Sequence, residues 1–174
     1  MALAAIAMGF AALTSALVVR QGSGNDWQRI LIPHILYLNS VILILSSLTL
    51  EVGRKKVASY IRAEGTTRSQ AMGWLAATLA LGLTFVAGQY IAWLQLRSEG
   101  LYLATNPNSS FFYVLTAGHA VHVLGGLGGL LRVMYLLRER VPVLRKSTMD
   151  ATSYYWHFMG MLWLYLLCVV WIKL

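Results

Sequence analysis

The sequence predicts an all-α, polytopic membrane helix bundle, a single domain of residues 1–174 with five transmembrane helices. Two observations support this fold class. The chain is 58% hydrophobic and 11% charged, with a mean hydropathy of +0.64, and this composition is typical of integral membrane proteins. Its apolar residues also gather in five stretches of about 20 residues or more, the length that crosses a hydrocarbon core of about 30 Å. The predicted spans are residues 1–19, 32–50, 71–96, 111–137 and 151–172.

The ends of the first three spans carry recognisable signals. The first span stops before Arg20 and lacks the basic n-region of a secretory signal peptide, so we expect a retained helix. The second has Pro33 in its first turn, where the missing N–H of proline costs little. The third is followed by a nearly uncharged loop, residues 97–110, whose TNPNSS run is typical of a turn and a helix N-cap.

Charge patterning gives the expected orientation. Much of the net charge of +8 comes from two basic loops, residues 51–70 and 138–150, which lie beside apolar spans. This placement indicates membrane topology rather than nucleic-acid binding, and no nucleic-acid partner is expected. The positive-inside rule places both loops in the cytoplasm, so the N-terminus is expected inside and the C-terminus outside. The lone cysteine, Cys168, allows no disulfide within the chain.

The fourth span holds the most informative residues. His119 and His122 are three residues apart, so they share a helix face near the middle of the membrane. Arg132 lies inside the predicted cytoplasmic end, where we expect it to snorkel, to bind a lipid phosphate or to pair with a partner's carboxylate. Four glycines leave about one turn without side chains, which predicts close packing against another helix. They are Gly125, Gly126, Gly128 and Gly129.

No active site is expected in this chain. We place all six acidic residues in loops or at helix ends, which argues against a proton relay or a small transporter. Phosphate-loop, nucleophile-elbow and HExxH motifs are absent from the sequence. The four histidines show no repeated ligand spacing, so we expect no metal; the alternative is a haem held by His122 and His157, which reach similar depths. Asn39 and Gln89 are expected to form hydrogen bonds between helices.

Four spans carry segments that resemble, in family order, subunit III of the haem-copper oxidases, the cytochrome c oxidase subunit III family. The fourth span resembles the family's FFxxTGxHGxHVxxG segment through SSFFYVLTAGHAVHVLGG, and the fifth resembles YWHFxDxxW through YYWHFMGMLWLYL. The second is similar to LLNTxxLLxSS through LYLNSVILILSSLTLEVGR, and the third to a bacterial segment through FVAGQYIAWLQLRSEG. The resemblance covers about residues 30–174.

The resemblance implies an accessory, non-catalytic subunit in the bacterial cytoplasmic membrane. It would flank subunit I of a terminal oxidase, with haem and copper in partner subunits, and supercomplex membership stays open. It would bind phospholipid in a cleft and support proton uptake and stability during turnover. Candidate lipid-binding or structural polar residues are Asn39, Gln89, His119, His122, Arg132 and His157. The alternatives are subunit III of a quinol oxidase, an accessory protein of nitric oxide reduction, and a haem-binding electron carrier.

Three departures from the family pattern limit which properties of the family can be expected in this chain. Five spans are predicted where mitochondrial members have seven, so the chain is similar to the shorter bacterial form. The region of Ala4 and Ala5 is apolar where the family usually carries a Ser-Glu pair, and Gly160 stands at the aspartate of YWHFxD. Any role of those two carboxylates is therefore not expected here.

Overall fold

The computed structural model of the chain describes residues 2–23, 34–62, 64–98, 100–102, 106–139 and 146–173, and these residues form five α-helices. Each helix is long and apolar enough to cross a membrane, which confirms the predicted all-α membrane fold. The helices are α1 (Ala2–Ser23), α2 (Ile35–Ile61), α3 (Arg68–Ser98), α4 (Pro107–Arg138) and α5 (Lys146–Lys173).

Helices α2 to α5 form a closed ring, because each packs against the next and α5 packs back against α2. Helix α1 lies outside this ring, against α4 and α5, and buries only Phe10 and Leu17. The C-terminal end of α1 meets the C-terminal end of α5, where the side chain of Gln21 donates to the carbonyl of Lys173 at 3.4 Å. The largest buried side chains fill the ring itself; they are Trp156, Trp163, Phe85 and Phe112.

The helices extend beyond the predicted spans at the end where the basic segments lie, called here the basic end. Helix α2 continues to Ile61 and α5 already includes Asp150, so the expectation that Glu51 and Asp150 belong to loops is wrong. Hydropathy marks where a helix leaves the hydrocarbon, and a charged helix end can continue in water or headgroups. Here Glu51 and Arg54, one turn apart, pair on the surface of α2 and support its continuation.

The predicted N-cap of the fourth helix is confirmed. Asn106 caps α4 through a capping box, in which its side chain and that of Ser109 bond each other's backbone N–H groups. Pro107 follows in the first turn, where it displaces no helical hydrogen bond. Helix α4 therefore begins several residues before the apolar span that sequence reasoning assigned to it.

Side-chain hydrogen bonds join every neighbouring pair of helices in the ring. Between α2 and α5, two indole N–H groups donate to serine hydroxyls, each at 3.0 Å. Such bonds in a membrane interior contribute about 0.6–2 kcal/mol each. The bonded pairs are Trp156–Ser46 and Trp163–Ser40 (α5–α2), Thr49–Thr78 (α2–α3), Trp93–Thr116 (α3–α4) and Tyr155–His122 (α5–α4).

Candidate functional site

A network of charged side chains joins α2 to α5 at the basic end. The Arg54 guanidinium donates to both carboxylate oxygens of Glu51, at 2.7 and 2.9 Å, and to Asp150 at 3.1 Å. The Nε2 atom of His157 lies 3.8 Å from the same Glu51 carboxylate. One arginine thus bridges two helices through two carboxylates, a charge-assisted arrangement stronger than neutral hydrogen bonds.

An apolar groove begins at this network and runs between α2 and α5. It has a volume of about 470 Å³, and Glu51 and His157 line its polar end. Its wall includes Ser47 and Gly160, and a Cβ atom at Gly160 would lie 3.5 Å from the Ser47 hydroxyl. The glycine at position 160 therefore keeps this part of the groove apolar and open.

A second groove lies between α3 and α4, also at the basic end. Its volume is about 900 Å³, and Arg68 and Arg138 line it together with Tyr135. Apolar side chains such as Met72 and Met134 form its walls. None of the described residues that line this groove is acidic, so positive charge meets an apolar surface there.

Arg132, the lipid candidate from the sequence, is exposed on α4 beside this second groove. Its neighbour Leu131 lines the groove, whereas Arg132 does not. Within the described ranges of the chain, neither Arg132 nor the two groove arginines form a salt bridge. All three guanidinium groups are therefore available to an anion.

The three histidines named as candidates lie in three different environments. His119 is fully buried against Phe85 and Trp163, with ring centroids 5.9 and 5.1 Å away. The Nδ1 atom of His122 lies 2.7 Å from the Gly118 carbonyl oxygen, and its ring contacts Phe10 of α1. His157 instead faces α2 through Glu51.

A haem between His122 and His157 would need both imidazoles to face one cavity. They face different neighbouring helices, α1 and α2, so the structure does not bring this pair together. Among the described residues, no three His, Cys, Asp or Glu side chains gather into a group that could hold a metal ion.

The four clustered glycines of α4, residues 125, 126, 128 and 129, face different surroundings. A Cβ atom at Gly126 would lie 3.1 Å from the Trp156 ring and 3.2 Å from the Tyr155 ring. At Gly125 and Gly129 the nearest atoms of α5 would be at ordinary contact distances, 3.5 and 3.8 Å. At Gly128 nothing lies within 4 Å. The close approach to α5 is therefore centred on Gly126.

Two glycines of α3 that sequence reasoning did not single out lie at tighter contacts. A Cβ atom at Gly82 would be 2.7 Å from Leu127 and 2.8 Å from Trp156, and one at Gly88 would collide with the Asn39 amide. Isolated glycines in an apolar span give no signal of their own. The sequence around Arg54 likewise does not show that its second partner, Asp150, lies in another helix.

Comparisons with known proteins agree with the resemblance read from the sequence. The profile of the family described as cytochrome c oxidase subunit III matches residues 2–173. The chain is 32% identical to cytochrome c oxidase subunit 3 of Synechocystis sp., over 86% of this chain and 60% of that protein. It is 28% identical to the Corynebacterium diphtheriae protein of the same name, over 76% and 62% of the two chains.

A relative with a different electron donor in its name also matches. Cytochrome bo(3) ubiquinol oxidase subunit 3 of Pseudomonas putida is 27% identical, over 94% of this chain and 78% of that protein. The chain spans about three fifths of the length of the Synechocystis and Corynebacterium relatives.

Proposed function

Because the chain belongs to the cytochrome c oxidase subunit III family, we propose that it is an accessory, non-catalytic subunit of a bacterial haem-copper terminal oxidase in aerobic respiration. The family match over residues 2–173 carries this proposal. In this role the chain flanks subunit I directly, while haem and copper reside in partner subunits. It lies in the cytoplasmic membrane with its basic end inside, as the distribution of Lys and Arg favours.

The electron donor of the proposed complex is cytochrome c. Relatives named cytochrome c oxidase subunit 3 support this choice, and the relative named ubiquinol oxidase subunit 3 supports the alternative of a quinol oxidase.

A contribution to proton uptake belongs to the same proposal. With the basic end inside, Glu51, Asp150 and His157 lie at the surface from which an oxidase takes up protons. Their side chains are 25–38% exposed, so none of the three is sealed inside the helix bundle. These three side chains, rather than carboxylates near Ala4 or at Gly160, are the proposed contribution of this chain to proton uptake.

The groove between α3 and α4 is the proposed phospholipid site. Arg68 and Arg138 at its mouth offer planar, bidentate donors to a phosphate, and the apolar wall accepts an acyl chain. Basic pockets between transmembrane helices at the cytoplasmic side bind lipid headgroups in this way. Arg132, on the adjoining face of α4, is the second candidate contact for the same headgroup.

Replacing the groove arginines tests this site. In the purified complex, Arg68→Gln with Arg138→Gln should weaken retention of anionic phospholipid by about fivefold per arginine, since each contributes about 1 kcal/mol near an anionic headgroup. Native mass spectrometry measures lipid occupancy directly. The initial oxidase rate should stay close to wild type, while activity should decay faster during turnover.

Arg132→Gln is the comparison variant, because it removes an arginine of α4 that does not line the groove. A loss of lipid in the double variant with little change in Arg132→Gln supports the groove. Loss confined to Arg132→Gln moves the headgroup to that residue. Unchanged occupancy in both the double variant and Arg132→Gln would reject the lipid role of this chain.

A further inference from the structure

Three polar side chains are buried inside the ring at the end remote from the charged network. Asn39 of α2 and Gln89 of α3 are each 1% exposed, and His119 of α4 is 0% exposed. Within the described part of the chain, none of their six side-chain nitrogen and oxygen atoms has a hydrogen-bond partner. Buried polar groups in proteins are nearly always bonded, because an unmade bond costs more than a typical hydrogen bond contributes.

Gln89 faces α4 at the level of His119. Phe85, Gln89 and Trp93 are four residues apart, so they form one stripe along α3. Phe85 meets the His119 ring at 5.9 Å, and the Trp93 indole donates to Thr116, one turn before His119, at 3.0 Å. The amide of Gln89 therefore lies between these two contacts.

Asn39 belongs to the same level of the ring. Its amide packs directly over Gly88, the residue before Gln89. The next residue of α2, Ser40, accepts a hydrogen bond from Trp163, whose ring stacks against His119 at 5.1 Å. The three polar side chains thus form one layer, called here the polar layer, which is enclosed by Phe85, Trp163 and the backbone of α3 at Gly88.

The chemistry of the polar layer selects its ligand. Two amides and a neutral imidazole both donate and accept, so the ligand must also do both. Among the described residues that form or enclose the layer there is no carboxylate, guanidinium or ammonium to balance an ion, and a charge buried without a partner is costly. A small uncharged molecule with several hydrogen-bonding directions fits these demands.

We propose that the polar layer is an internal hydration site, in which ordered water bridges Asn39, Gln89 and His119 and so joins α2, α3 and α4. A buried water forms about three hydrogen bonds to polar groups that otherwise have none, which is what three side chains from three helices offer. The absence of a side chain at Gly88 is part of this site, since a Cβ there would displace the Asn39 amide. The charged network and the hydration site then fix the helix ring at different depths.

High-resolution cryo-electron microscopy of the intact complex tests the site in the wild-type protein. We expect separate density peaks within hydrogen-bonding distance of at least two of the three side chains. Side chains bonded directly to one another, or a layer with no such peak, would overturn the proposal.

A pair of variants provides an independent measurement. Gln89→Met keeps the length of the side chain but leaves the bridging water short of a partner, so the melting temperature should fall by about 2–4 °C, the shift expected for losing one buried hydrogen bond. Gln95→Met, at an exposed position of the same helix, should leave it unchanged. A melting temperature that is equal or higher in Gln89→Met than in Gln95→Met would contradict a bridged layer.

Discussion

Gly126→Leu should detach the subunit from the purified complex or prevent its folding. Gly128→Leu, two residues later, should leave the folding of the chain alone unchanged. A side chain at Gly126 meets the rings of Trp156 and Tyr155 at 3.1–3.2 Å, closer than ordinary van der Waals contact. The Trp156 ring has little freedom to move, because its N–H is bonded to Ser46 of α2. We expect a loss of about 1–3 kcal/mol in the free energy of unfolding, the usual cost of overpacking.

Size-exclusion chromatography and the melting temperature in mild detergent measure this effect. At Gly128 the added side chain meets nothing within 4 Å, so the chain alone should fold and melt like wild type. If Gly128→Leu folds but fails to join the complex, that face of α4 is covered by a partner subunit. Equal stability of Gly126→Leu and wild type would show that α4 and α5 are not packed as described.

The second large effect is expected from Arg54→Met. It leaves Glu51 and Asp150 at the basic end without the guanidinium that bridges them. Hydrogen bonds to charged groups contribute about 1.5–3 kcal/mol, and side chains about one third exposed are partly screened by solvent, so we expect a loss of about 1–2 kcal/mol. The melting temperature should fall by about 2–4 °C for each kcal/mol.

The matched control for this prediction is Arg62→Met. Arg62 pairs with Glu64 at 3.0 Å, but both side chains are more than half exposed, so the loss should be close to zero. The double variant Glu51→Gln with Arg54→Met removes one of the orphaned carboxylates and should recover part of the stability. Equal melting temperatures of Arg54→Met and Arg62→Met would mean that the network does not tie α2 to α5.

Hydropathy predicted the number of helices and their approximate positions, because apolar length follows directly from bilayer thickness. It failed at the basic end, where Glu51 lies inside α2 and Asp150 inside α5. The scale treats a charged residue as the end of a span, whereas i,i+3 pairing with Arg54 stabilises the helix beyond it. The N-cap predicted from the TNPNSS run is confirmed at Asn106.

The sites were harder to predict, since they depend on how each helix is rotated. The glycine run of α4 indicated a close approach to another helix. Only the structure shows that Gly126 is the residue packed against α5 and that Gly128 meets no neighbouring helix of this chain. Gly82 and Gly88 gave no signal, because a single glycine reveals nothing about the neighbour it faces. The polar layer was equally hidden: Asn39, Gln89 and His119 lie on three helices, and sequence spacing cannot align helices with one another.

The proposed role of this chain as an accessory subunit of a haem-copper oxidase is tested by co-purification. The most direct measurement is to purify a tagged chain gently from its native membrane, identify the proteins that accompany it, and record the absorbance spectrum of the complex and of the dissociated chain. We predict that a haem-copper subunit I co-purifies, that the complex shows a Soret band, and that the chain separated from its partners shows none. A stoichiometric Soret band in the isolated chain, or purification without any haem-copper subunit, would rule out the accessory role.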